Sequence, residues 1–206
     1  MSEVIAVIGD LVASRSRRDQ AALLEAAATQ FGEVNLVVTA PQQLSPTVGD
    51  EFQGVFATIE SALLATLLVQ LRLLAYVGIE ARFGMARGSV TVTEAADPPF
   101  AQSGTAWWEA RAALSDLNDK ARGWPRTARA AYRGSDDALI NGFLTIRDEL
   151  MANFDERDAK ATLGLFAGER QDDIADQLGV SQPAVSQRIH RGPLALYAAH
   201  QRMVTP

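Results

Sequence analysis

A chain of 206 residues that is 48% hydrophobic, carries a formal net charge of −6 and contains no cysteine can bury one sizeable core or two small ones. Without cysteine there are no disulfides, thiolate zinc sites or cysteine nucleophiles. The acidic balance argues against a surface coated in nucleic acid and leaves room only for a local basic patch.

The first element is the apolar run Val4-Ile5-Ala6-Val7-Ile8-Gly9, which reads as a central strand closed by Asp10. Ser14 and Ser16 are candidate caps for a helix over residues 18–31. Arg15, Arg17 and Arg18 cluster beside the strand end. They read either as a solvated helix start or as a set of forks for capturing phosphate. Residues 35–39 read as a second strand, and Pro41 and Pro46 mark a loop or sheet edge.

Thr47-Val48-Gly49-Asp50-Glu51-Phe52, continued by Gln53-Gly54-Val55-Phe56, reads as a hairpin with Gly49-Asp50 at its tip. Alone, such a pair is a polar turn. With Asp10 ending a neighbouring strand, the two carboxylates, Asp10 and Asp50, become a layout for Mg²⁺, which takes one or two carboxylates plus phosphate oxygens and water. A helix over 58–75 follows, with leucines at 63, 64, 67, 68, 71 and 74 on a stripe. Interrupted by Glu60, Ser61, Gln70 and Arg72, it reads as a core helix rather than a membrane span. The N-terminus has no basic leader with an apolar run and small-residue cleavage site, so a soluble, cytoplasmic protein is expected. Residues 80–92 read as a strand whose glycines mark bulges or close backbone approach. The order strand, helix, strand, strand, helix, strand gives an α+β, ferredoxin-like arrangement.

Gly49-Asp50-Glu51-Phe52 resembles the signature of the nucleotidyl-cyclase palm domains, those of class III cyclases and diguanylate cyclases. The chain as a whole resembles the SatD family, through Val7-Ile8-Gly9-Asp10, Ser14-Arg15 and Gly49-Asp50-Glu51-Phe52-Gln53. The resemblance implies a palm with Asp10 and Asp50 on the metal. It places Arg111 where cyclases keep an arginine that stabilises charge on the transferring phosphate. Three positions depart from the cyclase pattern: Trp107 stands for the ribose-positioning asparagine, Pro46 for the base-reading lysine, and Val48 for a glycine. Lost positioning groups weigh against catalysis. Trp107 and Trp108 read as stacking platforms or core aromatics, and about 100° of helical rotation allows only one of them to face a pocket.

Residues 118–126 are polar, with Gly123 and Pro125, and read as a linker; Ser135-Asp136-Asp137 starts a helix over 138–154, and only helices are expected from there to the end. Residues 171–189 resemble a bacterial helix-turn-helix. Ala175 is small where the second helix crosses, Gly179 takes the turn, Ser181 caps, and Pro183 sits in a first turn. Ser181, Gln182, Ser186, Gln187, Arg188 and Arg191 are the expected DNA-reading set. His190 and His200 are too isolated to suggest a metal site.

The sequence therefore points to a palm-like domain over 1–120 and a helical, DNA-binding domain over 121–206. The expected function is a homodimeric transcriptional regulator. Arg15, Arg17, Gly49, Trp107 and Arg111 would bind a nucleotide or other phosphate ligand, and Asp10 and Asp50 would hold Mg²⁺. The rival expectation is a Mg²⁺-dependent nucleotidyl cyclase or related phosphoryl-transfer enzyme that also binds DNA.

Overall fold

Alternation in the first strand decides the layering. In a computed structural model, which describes residues 3–12, 19–92, 102–119 and 123–204, β1 (Val4–Leu11) sends Ile5, Val7 and Leu11 to one face and Ala6 and Ile8 to the other. The first face is covered by α1 (Gln20–Val37) and α2 (Ile59–Tyr76), the second by α3 (Thr105–Asn118). Between them lie β2 (Gln42–Pro46), β3 (Glu51–Phe56), β4 (Ala81–Gly88) and β7 (Ala130–Arg133), in the order β2-β3-β1-β4-β7. The first four strands pair antiparallel, with α1 and α2 as the two crossovers, which is the expected ferredoxin-like order. A small ribbon, β5 (Thr91–Val92) with β6 (Gln102–Ser103), leads into α3.

The glycines of β4 mark close approach, not bulges, since its pairing with β1 runs unbroken from Val4↔Gly88 to Leu11↔Ala81. A Cβ on Gly84 would stand 2.0 Å from the Ala110 carbonyl oxygen, and one on Gly88 would stand 2.7 Å from the Ala106 nitrogen. Side-chain-free positions on this face let the backbone of α3 rest on the sheet.

Two expected elements are corrected. Residues 35–37 continue α1 instead of starting a strand, because Val34 is buried in the core and the Asn35 amide pairs with both the N–H and the carbonyl of Leu44, at 2.9 Å each. The helix begins later than expected, at Gln20, where the Asp19 carboxylate accepts from the Ala22 N–H. The region after residue 120 is not helical throughout: β7 runs parallel to β4, pairing Phe83↔Ala130 through Ala86↔Arg133. A parallel edge strand of four residues has no hairpin turn to announce it. The expected boundary at 120 therefore falls inside the sheet's own chain path.

The remaining helices are α4 (Asp137–Met151), α5 (Glu156–Phe166), α6 (Gln171–Leu178), α7 (Gln182–Ile189) and α8 (Pro193–Val204). Ile140 and Leu144 of α4 join the main core. Leu67, Leu71 and Ala75 of α2 pack on Met151, Ala159 and Leu196. Helix α2 is thus buried against the sheet on one side and against α5 and α8 on the other. It is long and apolar enough to cross a membrane by length and composition, and 67% of it is buried inside the protein. A smaller core of Ala161, Ile174, Ala175, Val185 and Ile189 joins α5 to α6 and α7.

Strand β7 is fastened by buried polar groups on α4. Asp148 accepts from the N–H groups of Arg129 and Ala130 at 2.6 and 2.9 Å, and from Arg147 Nε at 3.0 Å; Arg147 also donates to Thr66 on α2. Both charged side chains are almost fully buried. Removing one partner of such a pair leaves an uncompensated charge and costs about 3–5 kcal/mol. Asp148→Ala should lower unfolding stability by that amount in urea titration, well beyond the effect of an exposed substitution such as Glu149→Ala.

His200, on α8, is buried beside the rings of Phe143 and Phe166. Burial, with the field of Arg147 behind it, lowers its pKa to about 3. The folded state therefore holds the neutral imidazole, and its contribution to stability is complete above pH about 6.5. That contribution fades as pH falls from there towards about 3, with a slope of up to ~1.4 kcal/mol per pH unit. In urea titrations between pH 7 and 4, His200→Phe should lose less stability than the parent chain.

Candidate functional site

The rim of the sheet beyond β1 gathers charge from four elements. Asp10, near the end of β1, lies opposite Glu51 on β3 and Arg82 on β4, so the three form one row across the sheet. By alternation with Ile8, Val55 and Ala86 they share the face covered by α3. Arg82 grips Asp10 with both arms of its fork, Nε to Oδ1 at 3.0 Å and Nη2 to Oδ2 at 2.7 Å. Arg111, on α3, grips Glu51 in the same way, with two bonds of 2.7 Å. Hydrogen bonding to Glu51, together with the fields of Glu51 and Asp10, raises the Arg111 pKa further. The two ion pairs therefore form one electrostatic unit.

Asp50 stands at the turn next to Glu51. Its carbonyl accepts from the Leu11 N–H at 3.1 Å, which ties the hairpin tip to the end of β1. Gly49 holds φ of +66° there, and the space around it is open: a Cβ would meet nothing within 4 Å. The structure thus brings together Asp10, Asp50, Gly49 and Arg111 at one rim. Arg15 and Arg17 lie outside the described residues.

Trp107 is elsewhere. It is 8% exposed and packs with Ala6, Ile8, Val55 and Leu114 between α3 and the sheet, while Trp108 faces outward at 68%. The expectation that Trp107 stacks on a ligand is corrected by this burial: an apolar indole on the glycine- and alanine-lined face fills the core. Glu51 and Arg82 are not among the site residues expected from the sequence. Alternation with Gly84 and Ala86 places Arg82 on the covered face, where a guanidinium needs a carboxylate, and that signal was readable.

Among the described residues no group of three or more His, Asp or Glu side chains is arranged to hold a metal. The pair Asp10 and Asp50 fits Mg²⁺ only if water and ligand oxygens complete its shell. Arg82 does not rule this out, since each carboxylate oxygen has a second lone pair.

In the C-terminal part, α6 and α7 are joined by Gly179, which is left-handed with φ of +64°, followed by Val180 and Ser181 at the head of α7. Ser181, Gln182, Gln187 and Arg191 are exposed and Ser186 is half-buried. Arg188 is turned inward, in contrast to its expected place on the exposed side of α7. Its Nη1 donates to Asp155 at 2.7 Å and Asp158 at 2.6 Å, at the start of α5. Burial lowers the Arg188 pKa, but these two carboxylates outweigh it and raise the pKa overall. The reason lies in α5, whose first-turn acids form a capping box that attracts a cation.

A family model describing the SatD family matches residues 4–205. The chain belongs to the SatD family. No curated protein matches it. Among solved structures it is similar to a bacterial light-regulated adenylyl cyclase, at 12% identity and a TM-score of 0.49 over 64% of this chain and 75% of that one. It is also similar to the guanylyl cyclase Cya2, at 15% identity and a TM-score of 0.43 over 55% of this chain and 69% of that one.

Rim ion pairs this exposed contribute about 0–1 kcal/mol to folding. Arg111→Gln and Glu51→Gln should therefore leave the unfolding midpoint in urea almost unchanged, whereas Gly84→Val, which drives a side chain into the α3 backbone, should cost about 1–3 kcal/mol or more.

Proposed function

We propose that this protein is a ligand-responsive DNA-binding regulator whose sheet rim takes a nucleotide or related phosphate compound together with Mg²⁺. The observation that carries this reading is the pairing of two carboxylates with two arginine forks at one open rim. In the structure each fork is balanced by an acid. A phosphate-bearing ligand offers Arg111 and Arg82 a more highly charged partner than Glu51 and Asp10, and the released Asp10 together with the neighbouring Asp50 would hold Mg²⁺. Arg15 and Arg17, four and six positions after Leu11 in the sequence, are the further phosphate contacts of this reading. The rest of the rim changes partners and keeps its place.

Sensing is favoured over catalysis by what α3 brings to the rim. Arg111 reaches it, but the position one turn before, which the cyclase pattern gives to a polar asparagine, is the buried Trp107. The convergence of Asp10 and Asp50 keeps a phosphoryl-transfer enzyme as the alternative reading. For DNA, α7 is the recognition helix of a helix-turn-helix, with Ser181, Gln182, Ser186, Gln187 and Arg191 towards the bases and backbone. Arg188 serves as the clip that holds α7 on α5. A homodimer would meet adjacent major grooves, and a cytoplasmic location fits such a role.

Calorimetric titration with ATP, GTP and cyclic nucleotides should show Mg²⁺ and ligand tightening each other's binding. Asp10→Asn and Asp50→Asn should remove the Mg²⁺ dependence, and Arg111→Gln should weaken ligand binding by about tenfold or more, since one charge-assisted hydrogen bond is worth ~1.5–3 kcal/mol. In selection from genomic fragments, Arg191→Ala should weaken binding and reduce the salt slope by about 1. Absence of any nucleotide binding with Mg²⁺ present would sink the sensing reading, and steady turnover of labelled ATP or GTP, lost in Asp10→Asn, would replace it with the enzyme.

A further inference from the structure

Among the described residues, two aromatic side chains stand largely exposed, Tyr76 on α2 and Trp108 on α3. The ring of Tyr76 is already taken, with Arg72 and Lys160 over it at 5.3 and 5.5 Å from its centroid. Trp108 is 68% exposed, and no ring or cation among the described residues is stacked on it. A single exposed apolar side chain needs no function by itself. Its place on α3 is what gives this one a role.

Helical rotation of about 100° per residue fixes that place. Ala106, Ala110 and Ala113 are fully buried between the helix and the sheet. Glu109 and Asp116 mark the flank of α3 towards β7, where both accept from Arg133. The other flank, towards β3, carries Trp107 in the core and then Arg111 on Glu51. Measured round the helix from Ala110, Trp107 stands at about 60°, Arg111 at about 100° and Trp108 at about 160°. Trp108 therefore lies on the Arg111 side of α3 and outward of it. The two are three residues apart, a rise of about 4.5 Å, and side chains at that spacing are neighbours on a helix surface.

The fork of Arg111 is fixed at the rim by Glu51, within the field of Asp10. A phosphate received there leaves the rest of its molecule to run back along the outer flank of α3. An exposed indole waits one turn away.

We propose that Trp108 is the base platform of the rim site, its indole stacking on a nucleobase while Arg111 holds the phosphate end. This role rests on the rim being a phosphate site, and it narrows the ligand to a nucleotide as against inorganic phosphate or a sugar phosphate. Stacking uses the π-face that every base has and reads no hydrogen-bonding edge. Adenine and guanine nucleotides should therefore bind alike. The stacking role that burial removes from Trp107 falls to its neighbour.

The test uses the full chain with Mg²⁺, and follows binding of ATP, GTP and inorganic triphosphate by calorimetry and tryptophan emission. ATP and GTP should bind with similar affinity and quench the emission, whereas triphosphate should bind without quenching it. Trp108→Ala should weaken ATP and GTP about tenfold, within the range for one stacked base, and remove most of the quenching. Triphosphate affinity should stay unchanged, and Trp108→Phe, which keeps a ring, should recover part of the loss. Equal ATP affinity in the parent chain and Trp108→Ala would overturn the platform and leave the rim reading intact. Triphosphate weakened as much as ATP would overturn it too, as would a loss that light scattering traces to a changed oligomeric mass. If neither nucleotide nor triphosphate binds, the rim reading falls and takes the platform with it.

Discussion

The contact of α3 with the glycine-lined strand β4 is the constraint on which the rest depends. With no side chain at Gly84 or Gly88, the helix backbone meets the sheet directly, and the helix axis is set by backbone atoms that cannot rotate away. Arg111 is then delivered to Glu51 as a fixed consequence, and Trp107, one helical turn earlier, has nowhere to go but the space between helix and sheet. The same contact therefore builds the rim and closes the core beneath it.

On the opposite face the organising element is α2. Most soluble helices bury one stripe; this one buries Leu63 and Leu68 with the sheet core and Leu67 and Leu71 with the later helices. The C-terminal helices are therefore an outer layer of the same body, joined through α5, whose far side carries α6 and α7. Close-packed interiors pass displacement on instead of absorbing it, so an altered seat of α5 on α2 would move α7 with it. Arg188, bonded to the first turn of α5, makes that coupling polar as well as apolar.

Much of this was readable from residues alone. Two chain positions forty apart come to one edge because a strand ending in Asp10 and a hairpin tipped by Gly49-Asp50 must meet there once β1 pairs with β3. What escaped was of a particular kind. Strand β7 is short and parallel, and its polar partners Asn141 and Asp148 lie on the helix after it, so no local pattern marks it. The β-branched Val37 falls in a stretch that reads as extended, yet residues 35–37 stay helical because tertiary burial of Val34 overrides weak propensity. Arg188 fits the pattern of a recognition-helix cation, and only the position of α5 reveals that its charge is already engaged.

The two outer strands share a device. At β2 the Asn35 amide occupies both backbone groups of Leu44, and at β7 the Asn141 amide occupies both of Tyr132, at 2.8 Å each. Each side-chain amide imitates the missing neighbouring strand for one residue. An incoming peptide trying to extend this sheet would find the middle of either border already plugged, and would have to evict a well-aligned pair of bonds before adding its first. Growth by strand addition, the common route from an open sheet to fibrous aggregates, is thereby discouraged at both margins, and assembly of this protein with itself is left to its helices.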